Sequence, residues 1–201
     1  MSTLLYLANL ACISQNPWLS MMPRLDSPDI IALDLDPSRS EDFDVCIEAG
    51  LLVKKQLDRF GLRGYAKASG ATGIHVYVPI KPRHTFAQSH SFAGIIARLC
   101  LQERPDLITL EPALGMRQRK LYLDYMQNVR GKTLASAYSV RAGPDAPVSA
   151  PLEWSELKPG LKPRDFTMKN MPERLADVGG LFAGALAADQ DLGDALGRAT
   201  N

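Results

Sequence analysis

Two aspartates, Asp34 and Asp36, lie at the end of the apolar run of residues 30–36, directly before Pro37. Side chains alternate between the two faces of a strand, so both carboxylates are predicted to lie on the same face. Adjacent anions are tolerated where solvent screens them, where one takes up a proton, or where a cation lies between them. A structural interpretation is that Asp36 caps a helix that begins at Pro37. Taken alone, the pair leaves a metal site and a helix cap open.

A glycine-rich segment that begins with Ser69 and ends with His75 is a candidate phosphate-binding loop. Gly70 and Gly73 would let backbone amides approach phosphate oxygens, Ser69 would add a hydroxyl donor, and protonated His75 would add positive charge. Lys67 shares a strand face with Ser69 and is either a further phosphate ligand or a solvated surface lysine. The structural alternative for both glycines is the turn of a β-hairpin.

A third carboxylate, Asp124, lies on the predicted strand of residues 120–125. It shares the polar side of its strand with Tyr122, as Asp34, Asp36 and His75 share the polar sides of theirs. Three carboxylates converging from separate strands suit Mg²⁺ or Mn²⁺, which prefer oxygen ligands. Two such ions stabilise both the attacking and the leaving oxygen of a phosphoryl displacement. The chemistry predicted is nucleotidyl transfer, with metal-dependent phosphate hydrolysis as a weaker option.

The elements that must position these residues alternate along the chain. A helix is predicted after residue 42 that ends at the C-cap glycine Gly61, and another begins at a capping box of Thr85 and Gln88. A last helix is predicted from Pro172, with apolar residues as far as Leu186. Residues 3–12 are predicted to form an amphipathic helix or a buried segment. Residues 141–163 are predicted to form an ordered loop, residues 1–188 a single domain, and residues 189–201 a flexible tail. The fold class predicted is α/β (α+β), a sheet with helices on one face. Its strands are expected at residues 30–36, 64–69, 74–80, 107–111 and 120–125.

Composition indicates an ordinary globular protein rather than a disordered one. The chain has 201 residues, of which 46% are hydrophobic and 22% charged, and its net charge is +1. The charge is unevenly distributed, because the window from Arg117 to Arg141 carries six basic residues against one acid, Asp124. This window is a candidate polyanion-binding surface.

The cysteines and the hydropathy pattern indicate the cellular compartment in which the chain is expected. Cys12, Cys46 and Cys100 are far apart and lack metal-type spacing. Buried thiols in a reduced, cytoplasmic compartment are therefore expected. No apolar run is long enough to cross a bilayer.

Five stretches of the chain together resemble the polymerase domain of bacterial DNA ligase D, a member of the archaeo-eukaryotic primase superfamily. They are residues 4–18, the run Asp34-Leu35-Asp36-Pro37, and residues 67–79, 121–128 and 163–175. The resemblance implies a primase-polymerase (RRM-like) core with a mixed, mostly antiparallel sheet.

The same resemblance implies roles for individual residues. Asp34, Asp36 and Asp124 would bind two Mn²⁺ or Mg²⁺ ions. Ser69 and His75, in the glycine loop, would bind the triphosphate of the incoming nucleotide. Arg141, which follows Tyr138-Ser139, would be a further phosphate ligand.

The implied function is template-dependent DNA/RNA nucleotidyl transfer in DNA end joining. The implied partners are nucleoside triphosphates, especially ribonucleotides, and DNA ends, with Ku and an ATP-dependent ligase. A cytoplasmic, nucleoid-associated location is expected.

The sequence departs from the family pattern in three ways. A segment that precedes these motifs in the family, and that carries basic residues for DNA phosphate, is absent, and an N-terminally truncated domain is therefore expected. Asn16 stands where the family usually has histidine, and Thr72 where it commonly has lysine or arginine. These departures motivate the alternative of a catalytically impaired remnant, or of a module that binds nucleotide or DNA without turnover.

Overall fold

A six-stranded sheet organises the computed structural model, which describes residues 2–40 and 42–199. The strand order is β4-β5-β1-β3-β2-β6, and only the pair β4 and β5 is parallel. The predicted mixed, mostly antiparallel sheet is therefore confirmed. The strands are β1 (Ile30–Asp36), β2 (Tyr65–Ala68), β3 (Ile74–Pro79), β4 (Ile108–Thr109), β5 (Leu121–Asp124) and β6 (Pro151–Leu152).

Two long helices pack against one face of this sheet. They are α2 (Phe43–Arg59) and α3 (Phe86–Glu103), and the shorter helices are α1 (Ser2–Asn9), α4 (Met171–Val178) and α5 (Leu192–Ala199). Helix α3 begins with the predicted capping box, in which Thr85 Oγ1 accepts from the Gln88 amide at 3.2 Å and Gln88 Oε1 accepts from the Thr85 amide at 2.9 Å. Gly61, with φ of 72°, follows the end of α2 as predicted.

Alternation along β1 separates the two faces of the sheet. Ile31, Leu33 and Leu35 enter the main core beneath α2 and α3. Ala32 belongs to a smaller cluster on the opposite face, with Leu19, Tyr77, Leu134, Phe182 and Ala185. The face that carries the polar residues is therefore partly covered, and this cover buries several of them.

Several local predictions differ from the structure. Strand β6 lies within the predicted loop of residues 141–163, where its pairing with β2 decides its conformation. Helix α4 ends at Gly179, whose φ of 68° turns the chain out of the helix. Helix α1 forms as an amphipathic element, and none of its described side chains is buried. Cys46 and Cys100 are buried as expected, whereas Cys12 is exposed.

The end of the chain, predicted to be a flexible tail, lies against the domain over residues 189–199. Gln190 is buried, and its amide donates to the carbonyls of Arg63 at 3.0 Å and Pro79 at 2.9 Å. Leu192 and Ala195 belong to the main core. The small and polar composition concealed these contacts, which are made to distant parts of the chain. In the described ranges, no helix has the length and apolarity needed to cross a membrane.

Candidate active site

Four titratable side chains form a row across one face of the sheet. Asp34 in the central strand β1 stands opposite Asp124 of β5 on one side and opposite His75 of β3 on the other, and His75 stands opposite Lys67 of β2. Directly opposite residues share a face, with their Cβ atoms about 4.5–5.5 Å apart. The structure therefore brings together the predicted residues in the order Asp124, Asp34, His75 and Lys67.

The surroundings of Asp34 destabilise the charged form of its carboxyl group. Burial raises the pKa of its carboxyl group well above the usual range, and the charges of Asp36 and Asp124 raise it further against the opposing charge of Lys67. Its Oδ1 atom is buried without a hydrogen-bond partner. His75 Nε2 lies 3.3 Å from that oxygen but is not aligned for a hydrogen bond. A buried carboxylate oxygen without a donor is suited to receive a cation.

Asp36 is partly exposed at the end of β1, opposite Tyr122. Burial raises its pKa, the charge of Arg117 lowers it, and Asp124 raises it. The Arg117 guanidinium lies 4.5 Å from the centre of the Tyr122 ring. The sequence placed Arg117 only within a general basic window, because its proximity to Asp36 depends on the fold.

The turn after β5 holds Asp124 in place. Its Oδ1 accepts from the Met126 amide at 2.7 Å, and its Oδ2 accepts from Gln127 Nε2 at 2.8 Å. Next along the chain, buried Asn128 pairs with the backbone of Ala32 in β1, accepting from its amide at 2.8 Å and donating to its carbonyl at 2.7 Å. The polar pair Gln127-Asn128 after an apolar strand was the available signal for this positioning role, which the sequence analysis missed.

The Ser69 hydroxyl oxygen stabilises the glycine loop by accepting hydrogen bonds from its backbone. Its Oγ accepts from the amides of Ala71 at 3.1 Å and Gly73 at 3.0 Å. Because both contacts use lone pairs of the oxygen, the hydroxyl hydrogen points away from these amides. Ser69 can therefore donate to an anionic ligand while it shapes the loop.

The two glycines allow close packing of this loop. A Cβ atom on Gly70, whose φ is +75°, would lie 2.6 Å from Arg141 Cγ, and a Cβ atom on Gly73 would lie 2.2 Å from the carbonyl oxygen of Leu35. The hairpin of β2 and β3 is present, in accord with the structural alternative for these glycines. Because neither glycine has a side chain, the loop can pack against β1 and Arg141 can lie beside the loop.

Lys67 is completely buried, unlike a solvated lysine. Its Nζ lies 2.8 Å from His75 Nδ1 and 2.6 Å from Ser149 Oγ. Burial is the main cause that lowers its pKa to about 7, while the charge of Asp34 opposes that shift. The predicted role of Lys67 as a direct phosphate ligand does not fit this position, because the ammonium group lies behind His75.

The surroundings of the His75 ring favour its neutral form. Burial lowers its pKa well below the usual value, and the charges of Lys67 and Arg141 lower it further. This environment disfavours the positive charge that was predicted for His75. A neutral ring can still donate one hydrogen bond to a phosphate oxygen.

The basic window is divided by the fold. Arg141 acts electrostatically on Asp34 of the row, and Arg117 acts on Asp36 at the end of β1. Arg130 forms an ion pair with Asp26 at 2.6 Å, and its guanidinium lies over the ring of Trp18. Only part of the predicted polyanion surface therefore adjoins the candidate active site.

Carboxylate oxygens of Asp34, Asp36 and Asp124 are the donors that this site offers to a divalent metal ion. Within residues 2–40 and 42–199, no group of three or more His, Cys, Asp or Glu side chains is arranged closely enough to hold an ion as it stands. The chemistry of Asp34, Asp36 and Asp124 nevertheless fits Mg²⁺ or Mn²⁺, because all offer carboxylate oxygens and repel one another. The buried Oδ1 of Asp34, which has no hydrogen-bond partner, is the strongest local indication of a cation site.

Comparison with known proteins places the chain in a family. The model of the LigD primase-polymerase domain matches residues 1–182. The Bifunctional non-homologous end joining protein LigD of Bacillus subtilis is 38% identical over 181 residues, which are 89% of this chain and 29% of that protein. The Multifunctional non-homologous end joining protein LigD of Pseudomonas aeruginosa is 32% identical over 168 residues, 84% of this chain and 20% of that protein. The chain thus spans less than a third of the length of these relatives.

A solved structure supports the same fold. The polymerase domain from Mycobacterium tuberculosis ligase D, in complex with DNA, superposes with a TM-score of 0.78 and 24% identity over 90% of this chain and 65% of that chain. The sheet and its two packed helices are therefore those of a ligase D polymerase domain. The chain belongs to the LigD primase-polymerase domain family.

Proposed function

We propose that this chain is a metal-dependent nucleotidyltransferase that extends a primer on a DNA template with nucleoside triphosphates. The observation that carries the proposal is the pairing of Asp34 with Asp124 across adjacent strands, with a buried Asp34 oxygen left without a partner. His75 lies on the same face of the sheet as Asp34, and Ser69 lies in the glycine loop before β3, so both can offer donors to a triphosphate. Family membership supports the same reaction class.

Each side chain has a defined task in this proposal. Asp34, Asp36 and Asp124 would hold two Mn²⁺ or Mg²⁺ ions, which when bound stabilise the attacking and leaving oxygens of the transfer. Met126 and Gln127 orient the Asp124 carboxylate through its two hydrogen bonds. Ser69 would donate its hydroxyl hydrogen, and His75 its ring N–H, to the triphosphate.

Arg141, beside Gly70 of the glycine loop, would add positive charge to the triphosphate site. It lies against Gly70, and its charge already acts on Asp34 and His75. A phosphate placed among these groups would be held mainly by charge-assisted hydrogen bonds. Lys67 would act indirectly, through His75.

The biological setting is also part of the proposal. Both relatives are named as non-homologous end joining proteins, and the solved domain is bound to DNA. We propose ribonucleotides and DNA ends as substrates, Ku and an ATP-dependent ligase as partners, and a cytoplasmic, nucleoid-associated location.

A second candidate is a nucleotide- or DNA-binding module without turnover. It is favoured by the carboxylates, which are not assembled at coordination distance among the described residues. It is also favoured by Asn16, whose side chain donates within its own turn to Ser14 O at 3.2 Å and Ser14 Oγ at 3.3 Å.

Primer extension distinguishes these functions. The purified chain is incubated with Mn²⁺, ribonucleoside triphosphates and a template-primer, alongside Asp124→Ala and the exposed control Asp177→Asn. Extension by the native chain and the control, with loss of extension in Asp124→Ala, is expected for a catalytic metal ligand. Nucleotide binding by calorimetry without extension supports the binding module. Release of phosphate rather than pyrophosphate identifies a phosphohydrolase.

A further inference from the structure

A hydrogen-bonded chain extends the row of titratable residues beyond the candidate nucleotide site. Lys67 Nζ contacts Ser149 Oγ on one side and His75 Nδ1 on the other. Ser149 belongs to the loop before β6, and like Lys67 and His75 it is buried. Ser149 lies outside the residues proposed to contact the nucleotide, and Lys67 is too deeply buried to reach a phosphate directly.

The direction of each hydrogen bond follows from the available hydrogens. Ser149 Oγ donates its single hydrogen to the carbonyl of Ala68 at 2.9 Å. It must therefore accept from Lys67 at 2.6 Å. The Lys67 amine thus has one donor committed to Ser149.

The remaining hydrogens of an ammonium group also have partners. The Tyr77 ring centre lies 5.2 Å from Lys67 Nζ, within the range of a cation–π contact. His75 Nδ1, at 2.8 Å, is the third partner. An ammonium has three donors and no acceptor, so this environment matches the charged form of Lys67, which predominates below its pKa of about 7. In that form, Nδ1 must be the acceptor.

We infer that Lys67 is a positioning residue that holds His75 as the neutral tautomer with its hydrogen on Nε2. That nitrogen faces Asp34, at 3.3 Å from Oδ1. The hydrogen is thereby presented to the carboxylate side of the row rather than to the protein interior. Ser149 acts indirectly, because it accepts a hydrogen bond from the Lys67 amine and so holds that amine against His75.

The consequence for nucleotide binding rests on the proposed function, whereas the tautomer itself does not. With Lys67 in place, His75 offers Nε2–H to a triphosphate without first rearranging its hydrogen. Without Lys67, the ring divides between two tautomers, and only one of them can donate. A preorganised donor binds more tightly because it is not reorganised on binding.

The tautomer is measured directly by long-range ¹H–¹⁵N spectra of the imidazole rings, with the His75 signals assigned by their absence in His75→Asn. At about pH 6, below the Lys67 pKa of about 7, the native chain is expected to show hydrogen on Nε2. Lys67→Met, which keeps the length of the side chain and removes the donor, is expected to populate the Nδ1–H form, whereas exposed Lys158→Met leaves the spectrum unchanged. An Nδ1–H ring in the native chain, or an unchanged ring in Lys67→Met, overturns the inference.

Nucleotide affinity supplies the second readout. Lys67→Met is expected to raise the Kd for a ribonucleoside triphosphate with Mn²⁺ in inverse proportion to the fraction of rings that keep their hydrogen on Nε2, which is about twofold if the two tautomers are equally populated. Ser149→Ala shifts the tautomer and the affinity in the same direction by less, and it serves as the test if Lys67→Met does not fold. A native chain that binds no nucleotide contradicts the proposed function but leaves the tautomer result standing. Unchanged affinity in a Lys67→Met protein with an altered tautomer contradicts the functional consequence of the inference.

Discussion

Asp34 and Asp124 stand directly opposite each other on adjacent antiparallel strands, although they come from distant parts of the chain. Both carboxylates are almost completely buried. Burial and like charge together raise the pKa of Asp34, so the ligand-free arrangement carries an electrostatic cost. A bound cation would offset that cost, so the stability of the folded chain should depend on divalent metal and on pH.

Divalent cations are expected to stabilise the folded chain. Mn²⁺ or Mg²⁺ binding to the native state only would add about 2.7 kcal/mol at a concentration one hundred times the Kd. Melting temperatures are compared in excess EDTA and in Mn²⁺ for the native chain, Asp34→Asn and Asp177→Asn. The native chain and the control should both gain stability, whereas Asp34→Asn should gain much less. An equal gain in all three proteins would point to binding elsewhere.

The pH dependence of stability without metal is a separate prediction. Because burial raises the pKa of Asp34 in the folded state, the unfolded chain releases this proton first as pH rises, and stability falls between the ordinary pKa and the raised one. In EDTA, Asp34→Asn should therefore be more stable than the native chain at neutral pH. The difference should shrink on acidification and vanish below about pH 4, where the carboxyl is protonated in both states. Urea unfolding midpoints across this range measure it, and a native chain more stable than the variant at pH 7 would contradict the assigned environment.

Gly73→Ala tests the close contact between the loop and β1. The added Cβ would lie 2.2 Å from the Leu35 carbonyl oxygen, a backbone atom that cannot move without disturbing the strand. The free energy of unfolding should fall by about 1–3 kcal/mol, as for overpacked cores. Gly180→Ala is the control, since a Cβ there meets no atom within 4 Å. Its effect should stay within about 0.5 kcal/mol, and equal effects of the two substitutions would show that the contact is relieved at little cost.

Asn128→Ala tests the bond between the turn after β5 and β1. The substitution leaves the Ala32 amide and carbonyl without their side-chain partner. The expected loss is about 1–3 kcal/mol for each buried group left unpaired. Denaturant unfolding measures the total, with exposed Gln102→Ala as the control. Faster amide exchange at Ala32 should accompany the loss, and unchanged exchange there would argue against the assigned contact.

The sequence by itself determined the local features of this protein. Period-two alternation placed Asp34 and Asp36 on the face opposite Leu33 and Leu35, because that alternation depends only on the strand backbone. The capping box of Thr85 and the glycine after α2 were equally local, and the structure confirms both.

Only the tertiary structure decided how the strands are aligned and what is buried. Register pairs Asp34 with Asp124 and His75 with Lys67, and a shift of one residue would have placed each on the opposite face from its partner. Burial removed solvent from Lys67 and His75, and this disfavours the positive charge expected on the histidine. Such effects arise from residues far apart in the chain, so residue types and local spacing determine which groups are available, while packing determines their protonation and their partners.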